Sequence, residues 1–156
     1  MQMHWAKSSL LEQGPIVLMS IRPQYVRKIL EGTKTVELRR KFSQNFQSGV
    51  LLIYATAPVM AVVGAARIVL AKDMPITQIW RMHRKESGVC KTEFDAYFHN
   101  VERGYVLSLS QVMPLENCVT RGEMYERYGL VPPQSYRILD AHIARDILNA
   151  NRANSD

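Results

Sequence analysis

Between Ser20 and Lys41 the chain reads SIRPQYVRKILEGTKTVELRRK, and its hydrophobic period switches from 3.6 to 2 at Gly32. Pro23 suits the first turn of a helix, where its missing N–H costs nothing, and Gly32 suits the left-handed residue that ends one. Between them Tyr25, Val26, Ile29 and Leu30 share one side, while Gln24, Arg27, Lys28 and Glu31 share the other. Beyond Gly32, Val36 and Leu38 alternate with Thr35, Glu37 and Arg39, so one strand face is apolar and the other carries a hydroxyl, a carboxylate and a guanidinium. The stretch predicts strand end, short helix, tight turn and strand, with Lys34 in the turn. A chain containing it must supply a sheet for that strand and an apolar surface for that helix.

The flanking sequence predicts both. Ile16 to Ile21 is a short apolar run bounded by turn residues, a buried strand. Phe42 to Gly49 is polar between its two phenylalanines and reads as a loop over the core. Val50 to Ala55 is continuously apolar, as in a strand buried on both faces or on a barrel wall. Val59 to Leu70 is a second such run, with Gly64 marking a bulge or bend. Ile76, Ile79, Trp80 and His83 then recur at helical spacing as far as Gly88, with Arg81, Arg84 and Lys85 mostly on other faces. Thr92 and Asp95 resemble a capping box for a further helix, whose Phe94, Tyr97 and Phe98 read as core. Tyr105 to Val112 alternates like a half-buried strand, and Pro114 to Val119 reads as a connection. Thr120 with Glu123 caps a helix to Tyr128 that Gly129 closes. Tyr136 to Leu139 predicts a last strand, and Asp140 a cap for a helix to about Ala150. Met1 to Gly14 has no clear period, beyond a short helix that is compatible with the residues from Ser9.

With 156 residues, 47% of them hydrophobic, the chain is long enough to build one proper core. The expected division is an N-terminal extension over residues 1–15, one domain over 16–150 and a frayed tail over 151–156. The net charge of +6 favours anionic partners, nucleic acid foremost. Between Arg22 and Lys41, seven cations stand against two carboxylates, so the excess is concentrated in the opening stretch. Cys90 and Cys118 form no disulfide framework or zinc spacing, and His4, His83, His99 and His142 are scattered. No HExxH, CxxC or glycine-rich phosphate loop occurs. Without a membrane-length apolar stretch or a signal peptide, the expected location is the cytoplasm.

The pattern SI-P-Y---IL-G-K-VELR from Ser20 to Arg39 resembles the signature of the ASCH domain, a member of the PUA-like superfamily. Later pieces agree in order: Tyr54-Ala55-Thr56, Val63-Gly64, Trp80, the aromatic group before Gly104-Tyr105, and Pro132-Pro133-Gln134-Ser135. The resemblance implies an α+β fold, a PUA-like small β-barrel of mixed strands flanked by several short helices. It also bears on Lys34, which on spacing alone is a solvated charge. In ASCH domains this lysine lines a cleft between barrel and signature helix, where it meets a phosphate as a point charge or, desolvated, serves as a base.

Glu37 and Arg39, two residues apart, share a strand face. Either they form a surface ion pair of little worth, or in a cleft they position a guanidinium for a phosphate or base edge. Glu37 is also placed to act as a general base. Candidate catalytic residues are therefore Lys34 and Glu37. Candidate ligand-binding residues are Ser20, Arg22, Tyr25, Lys34, Arg39 and Arg40, with Gln134 and Ser135 closing the cleft from the far end of the chain. No metal ligand set is assigned, and the cofactor is unknown; a divalent metal is expected only if the chain is a nuclease.

The expected function is binding of RNA, single-stranded by preference, or of a nucleoside-like ligand in this cleft. One enzymatic alternative resembles ribonucleases on single-stranded RNA. Another resembles amidohydrolases that deacetylate N4-acetylcytidine, whose site is a lysine in a GxKT context, a threonine three residues on and a distant glutamate. Lys34 matches that lysine; Glu37 occupies the threonine position, so the hydroxyl is missing, and Glu86 falls roughly where the glutamate would. A further alternative is an interaction module with an acidic protein partner.

Overall fold

In the computed structural model, residues 14–149 are described. They form strands β1 (Ile16–Ile21), β2 (Val36–Arg39), β3 (Gly49–Ala55), β4 (Ala61–Pro75), β5 (Arg103–Thr120) and β6 (Tyr136–Leu139). The helices are α1 (Pro23–Glu31), α2 (Ile76–Ser87), α3 (Lys91–Tyr97), α4 (Arg121–Tyr128) and α5 (Ala141–Asn149). The readings of residues 1–13 and 150–156, the expected helix end at about Ala150 included, lie outside the described residues.

The strands make one six-stranded sheet in the order β2-β5-β4-β3-β1-β6. β1 and β3 run parallel, joined through α1 and β2, and the other pairs are antiparallel. The expected small β-barrel is not shown as a closed one, because β2 and β6 are both edges and no ladder joins them. The α+β class and the mixed strands are as expected.

The continuous apolar runs are explained by cover on both faces of the sheet. Ile16 and Leu18 on β1, with Val50, Leu52 and Tyr54 on β3, pack toward Met124 of α4 and Ala144, Ile147 and Leu148 of α5. The alternate residues Val17, Met19, Ile21, Leu51 and Ile53 pack on the other face with Val26 and Ile29 of α1. Phe42 and Phe46 join them, so the polar loop between β2 and β3 anchors itself in the core by two edge-on rings 5.1 Å apart. A third cluster, built from Val36, Leu38, Met74, Val106, Ile79, Phe94 and Phe98, seats α2 and α3 beside β2. Each fully buried side chain of this kind is worth about 1.5–3 kcal/mol, so the cluster fixes where α2 and α3 lie relative to β2.

Local signals act mostly as read. Pro23 opens α1, and Gly32 ends it at φ 85°, donating its N–H to Ile29 O. Gly88 and Gly129 end α2 and α4 in the same left-handed region. Glu123 N donates to Thr120 Oγ1 at 3.2 Å, the capping bond that starts α4. The ladders shift register beside Gly64 on both sides.

Some boundaries differ, and β4 runs on to Pro75, past the expected end at Leu70. α3 begins at Lys91 after Cys90, and no side-chain cap hydrogen bond starts it, so Thr92 is inside the helix. Pro114 does not end β5, which continues to Thr120. Pro114 sits opposite Gly64 where the β4–β5 register shifts, and a bulge tolerates a residue without an N–H.

Candidate functional site

α1, β2 and the neck between them enclose a cleft of about 670 Å³ against α3 and the end of β1. Its position follows from three backbone links. Lys34 N and Thr33 N donate to Lys28 O at 3.0 Å, which folds the turn tightly onto α1. Thr35 N donates to Glu86 O at 2.9 Å, which ties the start of β2 to the end of α2. Ser20 N donates to Ser135 O at 3.0 Å, and Ser20 Oγ to Pro133 O at 2.6 Å, which lays the Pro132–Ser135 segment along β1.

Lys34 is the most deeply buried charge among the described residues, 1% exposed. Its Nζ donates to Ser87 O at 2.5 Å, stands 4.0 Å from Glu37 Oε1 and lies 5.4 Å from the centre of the Tyr25 ring. Taking an ammonium out of water is costly, by several kcal/mol. Burial accordingly holds the Lys34 pKa below its ordinary value of 10.5, against the opposing pull of Glu37. Gly88, at φ 67°, is part of the enclosure: a Cβ there would come 3.2 Å from Lys34 Cβ.

Glu37 is also buried. Its Oε1 accepts from the Leu38 N–H at 2.9 Å, but its Oε2 has no protein partner. Arg39 donates from Nη2 to Ser20 O at 2.9 Å and from Nη1 to Ser135 Oγ at 3.4 Å, while its buried Nε has no protein partner. An unpaired acceptor and an unpaired donor thus stand two residues apart on one strand. Buried polar groups are normally satisfied, so this pair is prepared for a ligand that brings both kinds of group.

Of the residues read from sequence, Ser20, Arg22, Tyr25, Lys34, Glu37, Arg39 and Gln134 line the cleft together. Ser135 reaches it through the Arg39 contact. Arg40 does not line it: it follows the end of β2, is exposed, and its backbone N–H donates to Tyr97 Oη at 3.3 Å. Glu86 is exposed and holds His83 Nδ1 at 2.9 Å, outside the cleft.

Among the lining residues that the sequence reading did not assign to the site are Glu93 and Tyr97. Glu93 accepts a short hydrogen bond from the Tyr25 hydroxyl, which holds the Glu93 carboxyl below its ordinary value. Burial, followed by that bond, raises Tyr25 in turn. Tyr97, read as core, instead stands 39% exposed at the cleft, edge-on to Phe98, and burial of its hydroxyl raises its pKa. Among the described residues no group of three or more His, Cys, Asp or Glu is placed to hold a metal ion, and both cysteines are free and exposed. No helix of the described residues is long and apolar enough to cross a membrane.

The family model described as ASCH domain matches residues 19–129. This chain belongs to the ASCH domain family. A curated relative, the ASCH domain-containing ribonuclease of Zymomonas mobilis, is 28% identical over 119 residues, covering 76% of this chain and 80% of the relative. The crystal structure of ASCH from Zymomonas mobilis superposes with a TM-score of 0.77 at 24% identity, over 90% of this chain and 94% of that one. The N-terminal domain of Staphylothermus marinus McrB matches more distantly, with a TM-score of 0.59 at 12% identity over 85% and 92% of the two chains. The two structural matches concern the fold; the ASCH cleft is described from this chain's own residues.

Proposed function

We propose that this ASCH protein binds single-stranded RNA in the cleft around Lys34, Glu37 and Arg39 and cleaves it there. The observation that carries this reading is the buried, unpartnered Glu37 Oε2 in the same enclosure as the desolvated Lys34 ammonium. A carboxylate oxygen open to accept a proton beside an ammonium able to give one is what proton transfer at an RNA phosphate needs. The relative named as a ribonuclease, matched over most of both chains, supports the same reaction class.

In this reading Glu37 Oε2 takes the proton of a ribose 2′-hydroxyl. The 2′-oxygen forms a bond to the adjacent phosphorus as the bond from phosphorus to the 5′-oxygen breaks. Lys34 gives its proton to that leaving oxygen, and the products are a 2′,3′-cyclic phosphate and a 5′-hydroxyl. Arg39 Nε donates to a phosphoryl oxygen, while its Nη atoms stay anchored on Ser20 and Ser135. Charge on that oxygen develops in a cleft from which bulk water is partly excluded, where a fixed donor is worth most.

Deacetylation of a modified cytidine has less support. Glu37 offers no hydroxyl at the threonine position, and the Glu86 side chain is engaged by His83 outside the cleft. The interaction-module reading draws only on the basic charge, which RNA binding uses equally.

The test is incubation with three substrates: a single-stranded RNA, the same strand with one 2′-deoxynucleotide at the cleaved position, and N4-acetylcytidine. Cyclic-phosphate ends from the RNA and none from the deoxy-substituted position are expected. Intact RNA together with release of acetate would overturn the proposal in favour of the amidohydrolase.

A further inference from the structure

A second, smaller pocket of about 320 Å³ abuts the cleft. Ser20, Thr56 and Gln134 line both, so the two hollows share one wall at the end of β1. The far side of the smaller pocket is built by Tyr54, Met60 and Arg121. Arg121, the first residue of α4, is exposed, and its backbone N–H donates to Met60 O at 3.0 Å. Met60 adopts a left-handed backbone, φ 54°, that a residue with a side chain rarely takes. Its partly buried side chain packs on the same core cluster as Tyr54. Tyr54 and Arg121 line the pocket together, and the Arg121 charge opposes the rise that burial gives the Tyr54 pKa.

Resting on the RNA-cleavage reading, we infer that this pocket is a subsite for the nucleotide next to the scissile one, with Arg121 on its phosphate. A nucleoside has no phosphate to offer a cation across the wall from the reacting cleft. A nucleic-acid strand repeats base and phosphate at each step and fits two adjoining hollows with a cation at the far end. The Tyr54 and Met60 side gives the base an apolar surface, and the Ser20, Thr56 and Gln134 wall gives the sugar-phosphate link polar neighbours. The substrate class is therefore an oligonucleotide, and selectivity over mononucleosides is set by a residue outside the reacting cleft.

The experiment measures binding of fluorescent 2′-O-methyl oligonucleotides, which cannot form the cyclic phosphate, to wild type, Arg121→Ala and Arg121→Lys. Dimers and tetramers are titrated over a range of salt, and thermal unfolding checks that each variant is folded. Wild type is expected to bind the tetramer about tenfold more tightly than the dimer. Arg121→Ala is expected to lose that advantage and to show a shallower salt dependence for the tetramer, by about 0.7 in log–log slope for one lost phosphate contact. Arg121→Lys is expected to keep most of it. Binding that is length-independent in wild type, or a length advantage unchanged by Arg121→Ala, would overturn the subsite while leaving RNA cleavage standing. No binding of any oligonucleotide at low salt would overturn both.

Discussion

Arg39 Nη2, on edge strand β2, donates to the carbonyl of Ser20 on β1 at 2.9 Å, although β5, β4 and β3 lie between those two strands in the sheet. The sheet therefore curls far enough for one guanidinium to bridge two strands that share no ladder. That bridge, together with the Arg39 contact to Ser135, ties β1 and β2 together beside Lys34 and Glu37 in the cleft. It takes the place of the hydrogen-bonded closure expected from the barrel resemblance.

Arg39→Lys keeps the charge and loses the fork that holds two partners while leaving Nε free. Turnover of RNA is expected to fall about 100- to 1,000-fold in kcat, the loss typical of one preorganised donor. Steady-state kinetics on a labelled RNA checks this; a variant with unchanged kcat would show that the bridge is structural only.

The Lys34 pKa is lowered by burial, which fixes the sign of a pH effect. Between its folded value and 10.5, the unfolded chain binds more protons than the folded one, so this lysine's contribution to stability rises with pH. Relative to Lys34→Met, wild type is expected to gain stability as pH increases toward 10.5 and to lose it as pH falls through the folded value. Urea unfolding of both proteins across that range reads the difference. A constant gap would contradict a desolvated Lys34.

Tyr128 donates a short hydrogen bond to Asp146, joining α4 to α5, and its pKa is pushed up to about 12, by burial first and by Asp146 next. The stability this supplies is present below 10.0 and lost as pH rises through about 12. Tyr128→Phe is expected to cost about 0.5–1.5 kcal/mol at neutral pH and to remove the latest-titrating tyrosine from an ultraviolet titration.

Gly88 sits at φ 67°, and its carbonyl accepts from Lys28 Nζ at 2.6 Å. Gly88→Ala is expected to destabilise by about 1–2 kcal/mol through the left-handed backbone, and to disturb Lys34, whose Cβ lies 3.2 Å from the added carbon. Thermal unfolding and RNA cleavage read the two effects separately.

The residues that announced themselves in the sequence did so through local rules. Pro23, Gly32, Gly88, Gly129 and the Thr120–Glu123 pair each act within one turn of chain, and each ends or starts the predicted helix. The Ser20–Arg39 signature likewise gathers its six proposed site residues, Ser20, Arg22, Tyr25, Lys34, Glu37 and Arg39, into one cleft because α1 and β2 are adjacent in the chain. What escaped depends on long-range partners. Lys34 reads as solvated until Ser87, 53 residues away, and Gly88 enclose it. Pro114 reads as a break until Gly64 receives it in a bulge. The sequence assigns Glu93 no partner; Tyr25, 68 residues away, donates to it. Barrel closure is a property of the edges β2 and β6, which no local pattern encodes.

The most direct measurement is single-turnover cleavage of an end-labelled single-stranded RNA by wild type and Glu37→Gln, with thermal unfolding of both. Glutamine retains an oxygen for the Leu38 N–H that Glu37 Oε1 now accepts, so the fold is expected to hold. It cannot take a proton, so the cleavage rate is expected to drop roughly 100- to 10,000-fold. A folded Glu37→Gln protein that cleaves at the wild-type rate would contradict the assignment of Glu37 as the base.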